Sequence, residues 1–391
     1  MKAVGIVAEY NPFHLGHEYQ LQKTREMCPG HGIIAIMSGD FVQRGQAAAF
    51  DKHSRATAAI HGGADLVIEL PLPWAVSSAE GFSRGAVGLL GALGVADALC
   101  FGSEEGDVSA LEKLAEVLED PDADELIAQK LKSGMPYAAA RQAALEDMIG
   151  ESAKIIAQPN NILGLEYIRA IKALDLGIKP LTVKRTGAGH DKFSDDNIRS
   201  ASQIRCDIWQ GGDWQDFVPA AVYSILKNAK AVDMERMECA MLSRLRWLSP
   251  EELATAPDCT EGLENRLFSA IATESSLENI LDKVKTKRYA MARLRRILLC
   301  AALGVKKGMN DGIPPYARVL AANSKGLALL AEMKNTATVP VITKPARGLE
   351  LEGRAGEIFR LTSAARSFYA LGSGGALAPD SDLRTGPYIL K

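Results

Sequence analysis

The chain of 391 residues reads as an α/β protein, with a parallel sheet and its helices in the first two hundred residues and a mainly helical region after them. Three observations carry this reading. Short apolar runs rich in branched residues alternate with amphipathic stretches as far as Lys184, polar and glycine residues follow each run, and helical periodicity takes over after Gly211. Strands buried on both faces of a parallel sheet are continuously apolar, and their alternation with helices requires crossover connections.

The elements follow in order. A first strand over 3–8 ends at Glu9-Tyr10-Asn11-Pro12-Phe13, and a helix is expected over 16–27. A second strand, 33–37, ends at Ser38-Gly39-Asp40-Phe41-Val42-Gln43-Arg44-Gly45 before a helix over 52–61. A third, 66–70, runs into Pro71-Leu72-Pro73-Trp74 and a helix over 78–93. A fourth, 98–101, ends at Gly102-Ser103-Glu104-Glu105. A helix over 161–174 and a strand over 180–184 follow, the latter ending at Arg185-Thr186-Gly187. Helical patterns then cover 214–229, 234–247, 262–274, 276–284 and 289–303, with Gly211-Gly212-Asp213 as the hinge. This divides the chain into 1–210, a mainly helical 211–345, and a tail, 346–391, in which 371–375 reads as a flexible turn.

Composition narrows the class. Apolar residues make up 47% and charged residues 24%, which suffices for an ordinary buried core. A net charge of -3 argues against a uniformly basic coat for nucleic acid, though not against a local patch. Six scattered cysteines without a Cys-x-x-Cys pair read as reduced thiols of a cytoplasmic protein. No apolar run approaches the ~20 residues that cross a bilayer, and no membrane partner is expected.

Chemistry concentrates where strands hand over to helices, the edge at which α/β sheets bind ligands. His14-Leu15-Gly16-His17 puts two imidazoles at a helix start, where backbone dipoles attract phosphate. Gly16 leaves room for a phosphate or adenine near the backbone. Imidazole donors there suit charge developing on an α-phosphate as pyrophosphate leaves. Two histidines without a third ligand make a zinc site the weaker reading, and no metal-ligand set is expected. Further on, Ser200-Ala201-Ser202-Gln203-Ile204-Arg205 offers hydroxyls for helix capping and a guanidinium for β- and γ-phosphates. Asp40 and Arg44 are candidates to hold an acceptor or the triphosphate. Asn160 and Asn161 either cap a helix or contact the nucleotide. Gly102 permits close approach of a base or ribose, and Arg185 offers a cation at a strand end. His190 lies on a loop near the site, while His31, His53 and His61 read as structural. Finally, the segment 285–296 contains six basic residues and one tyrosine beside an apolar face, a pattern suited to an RNA backbone.

These motifs together resemble the bacterial tRNA(Met) cytidine acetate ligase family. The resemblance rests on Glu9-Tyr10-Asn11-Pro12-Phe13-His14-x-Gly16-His17, Ser38-Gly39-Asp40-Phe41-x-Gln43-Arg44-Gly45, Pro159-Asn160-Asn161-x-Leu163-Gly164 and Arg199-Ser200-Ala201-Ser202-x-Ile204-Arg205. It extends through Thr286-Lys287-Arg288-Tyr289 and Pro315-Tyr316-Ala317-Arg318-Val319-Leu320 and weakens after about residue 345. It implies a Rossmann-like nucleotidyltransferase domain of the HIGH type. It also implies an activity: ATP activates acetate as acetyl-adenylate, and the acetyl group passes to N4 of the wobble cytidine of elongator tRNA(Met). Magnesium would accompany ATP, and acetyl-coenzyme A would not be needed. The resemblance assigns the ATP site to Val7, Ala8, Glu9, Tyr10, Asn11, Pro12, Phe13, His14, Leu15, Gly16, His17, Glu18, Tyr19 and Gln20, with Gly102, Asn160, Asn161 and Arg185. Such a reaction needs charge stabilisation, which His14, His17, Ser202 and Arg205 can supply; the base for the second step is not visible in the sequence, and Asp40 is a candidate. Lys285, Lys287, Arg288, Arg293 and Arg296 are the candidate tRNA contacts. The alternative is a small-molecule adenylyltransferase of the pantetheine-phosphate or nicotinamide-mononucleotide type, which would use the same phosphate chemistry but leave the helical region unexplained.

Overall fold

The apolar runs of the first 184 residues pair side by side. The structure, a computed structural model, describes residues 1–185, 199–232 and 234–391, so His190 lies outside the described residues. Its main sheet contains β1 (Ala3–Ala8), β2 (Gly32–Ser38), β5 (Leu66–Leu70), β6 (Ala96–Ser103), β7 (Lys179–Lys184), β8 (Ala317–Ala322), β9 (Val341–Ile342) and β10 (Tyr388–Ile389). The order is β10-β8-β5-β2-β1-β6-β7, with β9 on β8. All pairs are parallel except β5 with β8. Every residue of β2 and β5 is buried, as branched runs covered on both faces require. A separate two-stranded hairpin, β3 (Phe41–Val42) and β4 (Gln46–Ala47), stands on the loop after β2. The chain leaves β1 first towards β2 and later towards β6. The carboxyl end of β1 therefore lies at the point where the strand order reverses, the usual ligand crevice.

Seven helices matter for the site: α1 (Leu15–Met27), α2 (Lys52–His61), α3 (Ala79–Ala92), α4 (Pro159–Ala173), α5 (Ala201–Gln210), α6 (Met291–Leu303) and α7 (Gly353–Leu371). The helix expected over 214–229 is instead a short 3-10 turn, Gln215–Phe217, and a helix over Ala220–Leu226. Pro219 separates them, because it has no N–H and keeps Val218 extended.

The sheet crosses the partition expected at 210 and 345. β8 comes from the region read as helical, and β10 from the tail. β8 pairs with β5 antiparallel, and all six of its residues are buried. Nor is the tail an appendage. α7 packs its buried face into the core, and Ser373, in the turn read as flexible, is wholly buried.

What fastens these late segments is charge. Lys52 pairs with Glu69 (2.8 Å) and Asp382 (2.6 Å). Arg318 pairs with Asp382 (2.6 Å). Arg366 pairs with Asp40 (2.8 Å) and Asp51 (3.3 Å). Buried ions are tolerated only when paired and hydrogen-bonded, and removing one partner strands the other.

Arg366→Ala should therefore cost about 3–5 kcal/mol in urea unfolding. Acid acts on the same cluster. Burial alone would raise the Asp382 carboxyl, but Lys52 and Arg318 outweigh it and hold it well below the usual carboxylate range. A depressed folded-state pKa gives stability that is present above the unfolded value and lost as pH falls through the folded one. Unfolding free energy should drop steeply below about pH 4, and Asp382→Asn should make that drop shallower.

Candidate active site

The turn after β1 is built by its own side chains. His14 is the N-cap of α1: its Nδ1 accepts from the Gly16 N–H (3.0 Å), and His17 Nδ1 accepts from the His14 N–H (3.2 Å). The two rings stack with centroids 3.8 Å apart. Because each Nδ1 accepts a backbone proton, each neutral ring carries its own proton on Nε2. Both imidazoles are thus set as donors at the positive end of a helix. Tyr10 takes a left-handed conformation (φ 45°), and its ring packs on Phe13 (4.9 Å) and His17 (5.0 Å). A Cβ on Gly16 would lie 2.8 Å from His14 Cε1, so its missing side chain makes room for the capping ring.

The second motif meets the first directly. Ser200 caps α5 in a capping box with Gln203. Arg205 then donates to the Asn11 carbonyl (2.7 Å) and to Ser202 Oγ (3.0 Å). Burial lowers the pKa of this guanidinium, Glu9 opposes that, and Arg44 adds to it. All three groups therefore share one electrostatic environment.

They face a cavity of ≈ 310 Å³. Of the expected nucleotide residues, Val7, Ala8, Glu9, Tyr10, Asn11, His14, His17, Gln20, Gly102, Asn160, Arg185, Ser202 and Arg205 line it. Gly16 and Tyr19 line a smaller adjoining recess with Arg185. Pro12, Phe13, Leu15 and Glu18 line neither. Phe13 is fully buried, against the position where a Cβ on Gly62 would stand. Burial also lowers the pKa of Arg185, with Glu104 opposing.

Two expectations need correction. Asp40 is absent from the cavity wall: its carboxylate is buried and accepts from Arg366 (2.8 Å) and from the Lys52 N–H (2.8 Å). A carboxylate committed to an internal ion pair is a structural group, not a base. Asn161 is likewise structural, accepting from the Glu104 N–H (3.0 Å) and donating to the Ile155 carbonyl (2.9 Å). The start of α4 is instead capped by Glu104, whose carboxylate accepts from the N–H groups of Asn160 (3.3 Å) and Asn161 (3.0 Å).

Comparison with known proteins decides the lineage. A family described as HIGH Nucleotidyl Transferase matches residues 1–378. A curated protein of Clostridium perfringens named tRNA(Met) cytidine acetate ligase is 38% identical over 366 residues, 88% of this chain and 90% of that one. The chain belongs to the tRNA(Met) cytidine acetate ligase family of HIGH nucleotidyl transferases. Two crystal structures of Thermotoga maritima TmcAL match it over 100% of both chains at 31% identity: the apo form with a TM-score of 0.93, and a form bound with alpha-thio ATP with 0.90.

Membership in the ligase family directs attention to what the sequence reading missed. Ala79, Phe82, Phe101, Ile162, Leu163 and Tyr167 form an apolar side of the cavity. Phe101 sits on β6 and the others on helices, where they carry the same apolar pattern as core positions, so only the three-dimensional structure separates the two. The basic segment of this ligase-family chain is also less open than its composition suggests. Arg296 is only 11% exposed and pairs with Asp258 (3.1 Å). Arg293 donates to the Asp258 carbonyl (2.8 Å), and Lys285 to the Tyr289 carbonyl (2.6 Å). Lys287 is exposed, and Arg288 pairs at the surface with Glu261 (2.8 Å).

The double duty of His14 can be separated by substitution. His14→Asn keeps a capping acceptor and should leave unfolding free energy within ~0.5 kcal/mol of wild type, whereas His14→Ala should lose about 1 kcal/mol. Both should slow pyrophosphate–ATP exchange by roughly 100-fold or more, the usual loss for one donor to a developing charge.

Proposed function

We propose that the chain is an ATP-dependent tRNA(Met) cytidine acetate ligase. It joins acetate to ATP as acetyl-adenylate and acetylates N4 of the wobble cytidine of elongator tRNA(Met). The observation that carries this is the Arg205–Asn11 hydrogen bond, which brings both phosphate-binding motifs to one cavity. The names of its relatives supply the RNA and the acid. The ATP-analogue complex of the Thermotoga protein supports the nucleotide. The small-molecule adenylyltransferase alternative has no such support and leaves the helical region without a task.

Acetate is anionic at neutral pH, so the first step needs alignment and charge stabilisation rather than a base. The acetate oxygen attacks the α-phosphorus, and pyrophosphate leaves with the electron pair of the broken P–O bond. His14 and His17 donate through Nε2, and Arg205, held by Ser202, meets the phosphates. Arg185 stands at the adjoining recess. Among the described residues no group of three His, Cys, Asp or Glu side chains is placed to hold a metal. Magnesium would accompany ATP. No helix among the described residues is long and apolar enough to cross a membrane. A reaction on tRNA and ATP fits the cytoplasm.

On the RNA side, Lys287 and Arg288 carry the phosphate contacts, with Arg293 at their edge. Lys285 and Arg296 serve the local fold through their internal partners.

Incubating the protein with tRNA, ATP and acetate should yield N4-acetylcytidine, and omitting acetate should abolish it even when acetyl-coenzyme A is present. Pyrophosphate exchange indifferent to acetate would overturn the reading. Lys287→Ala with Arg288→Ala should weaken tRNA binding and flatten its salt dependence by up to about two phosphate contacts.

A further inference from the structure

We infer that Glu9 receives the N4 amine of the acceptor cytosine and takes its proton as the acetyl group is transferred. The inference rests on the ligase reading and names the base that reading leaves unassigned.

Glu9 is the only aspartate or glutamate among the described residues that line the cavity. The histidines there are unsuited to the task, since each Nδ1 already accepts a backbone N–H and each Nε2 holds the proton. Asp40 is sealed in its ion pair with Arg366. Glu9 is differently placed. Its Oε1 accepts the Gln43 N–H (2.8 Å), and Oε2 accepts no hydrogen bond among the described residues. Among the described residues, the charged and titratable groups that face it are Arg205 from α5, Arg55 from α2 and Tyr167 from α4, with Arg44 beyond on the hairpin. None of these is a second carboxylate, and Glu9 forms no ion pair with any of them.

A carboxylate beside a triphosphate site is electrostatically unfavourable unless it serves another partner. A cytosine amine is such a partner: N4 presents N–H donors, and glutamate is a natural acceptor for them. The amine lone pair is also delocalised into the ring, so the amine attacks well only if its proton is withdrawn. The atoms balance. N4 bonds to the acetyl carbon, the carbonyl electrons move to oxygen and return, and AMP leaves with the electron pair of the C–O bond. The N4 proton passes to Glu9 and then to water.

The RNA has a structural route to this group. Gly45, at the hairpin turn (φ 73°), sits so close to α6 that a Cβ would lie 2.5 Å from the Arg296 backbone nitrogen. The hairpin that holds Glu9 Oε1 is thereby seated on the helix that follows Lys287 and Arg288.

Glu9→Gln tests this, because an amide oxygen preserves the Gln43 contact while abolishing proton acceptance. Exchange, hydroxylamine trapping of the adenylate, and N4-acetylcytidine formation are measured across pH. The ratio of transfer to exchange should fall roughly 100-fold or more. Equal loss of exchange and transfer would assign Glu9 to the ATP step and overturn the inference. So would an unchanged ratio, in a wild type that makes N4-acetylcytidine. A wild type that makes none overturns the ligase reading itself.

Discussion

One buried guanidinium organises the site. Arg55 is fully buried and donates to main-chain carbonyls alone: those of Phe50 (2.8 Å), Ser38 (3.2 Å), Gly39 and Glu9. These carbonyls belong to the turn after β1 and to the loop after β2. Without a common donor the two would be independent, each free to settle a fraction of an ångström away. With it, the histidine turn and the base of the hairpin share one frame. Burial lowers the pKa of Arg55, and Asp40 and Asp51 are among the neighbours that restore its charge. The geometry of the nucleotide turn thus depends on acidic groups that never touch the nucleotide.

Two electrostatic environments stand back to back. Behind the sheet edge, Asp40, Asp51, Glu69 and Asp382 face Lys52, Arg55, Arg318 and Arg366, all buried, so the cluster is neutral overall. Among the described residues that line the cavity, Arg44, Arg185 and Arg205 stand with Glu9 as the one carboxylate, and Glu104 lies against Arg185. The first environment is satisfied internally and contributes rigidity. The second carries an excess of positive charge that an anionic ligand completes. His53 lies against the first: burial, then Lys52 and the neighbouring arginines, push its pKa down to about 3, keeping it neutral beside the cluster.

What could be read from the chain follows from where each signal resides. The five parallel strands are local apolar runs, and His14, His17, Ser202 and Arg205 sit in motifs of a few residues, so both were legible. β8 was not, because Ala-Arg-Val-Leu-Ala-Ala places an arginine in a fully buried strand. That arginine is tolerable only because Asp382 lies opposite. Asp40 misled for the same reason, its partner Arg366 being 326 residues away. Glu104 as the cap of α4, and Phe82, Leu163 and Tyr167 as cavity wall, are facts of packing that no short window contains.

The charge cluster also sets an order of events during synthesis. A chain emerges from the ribosome amino end first and folds domain by domain as it is made. Here Asp40, Asp51 and Lys52 emerge well before Arg318, Arg366 and Asp382. Until then Asp40 and Asp51 have Arg55 but lack Arg366, and β5 has an open edge where β8 belongs. The nucleotide turn, translated long before them, gains the last ion pairs beneath its frame only when they arrive. A half-made chain thus holds the nucleotide motif before it holds the cation that completes the cluster behind it.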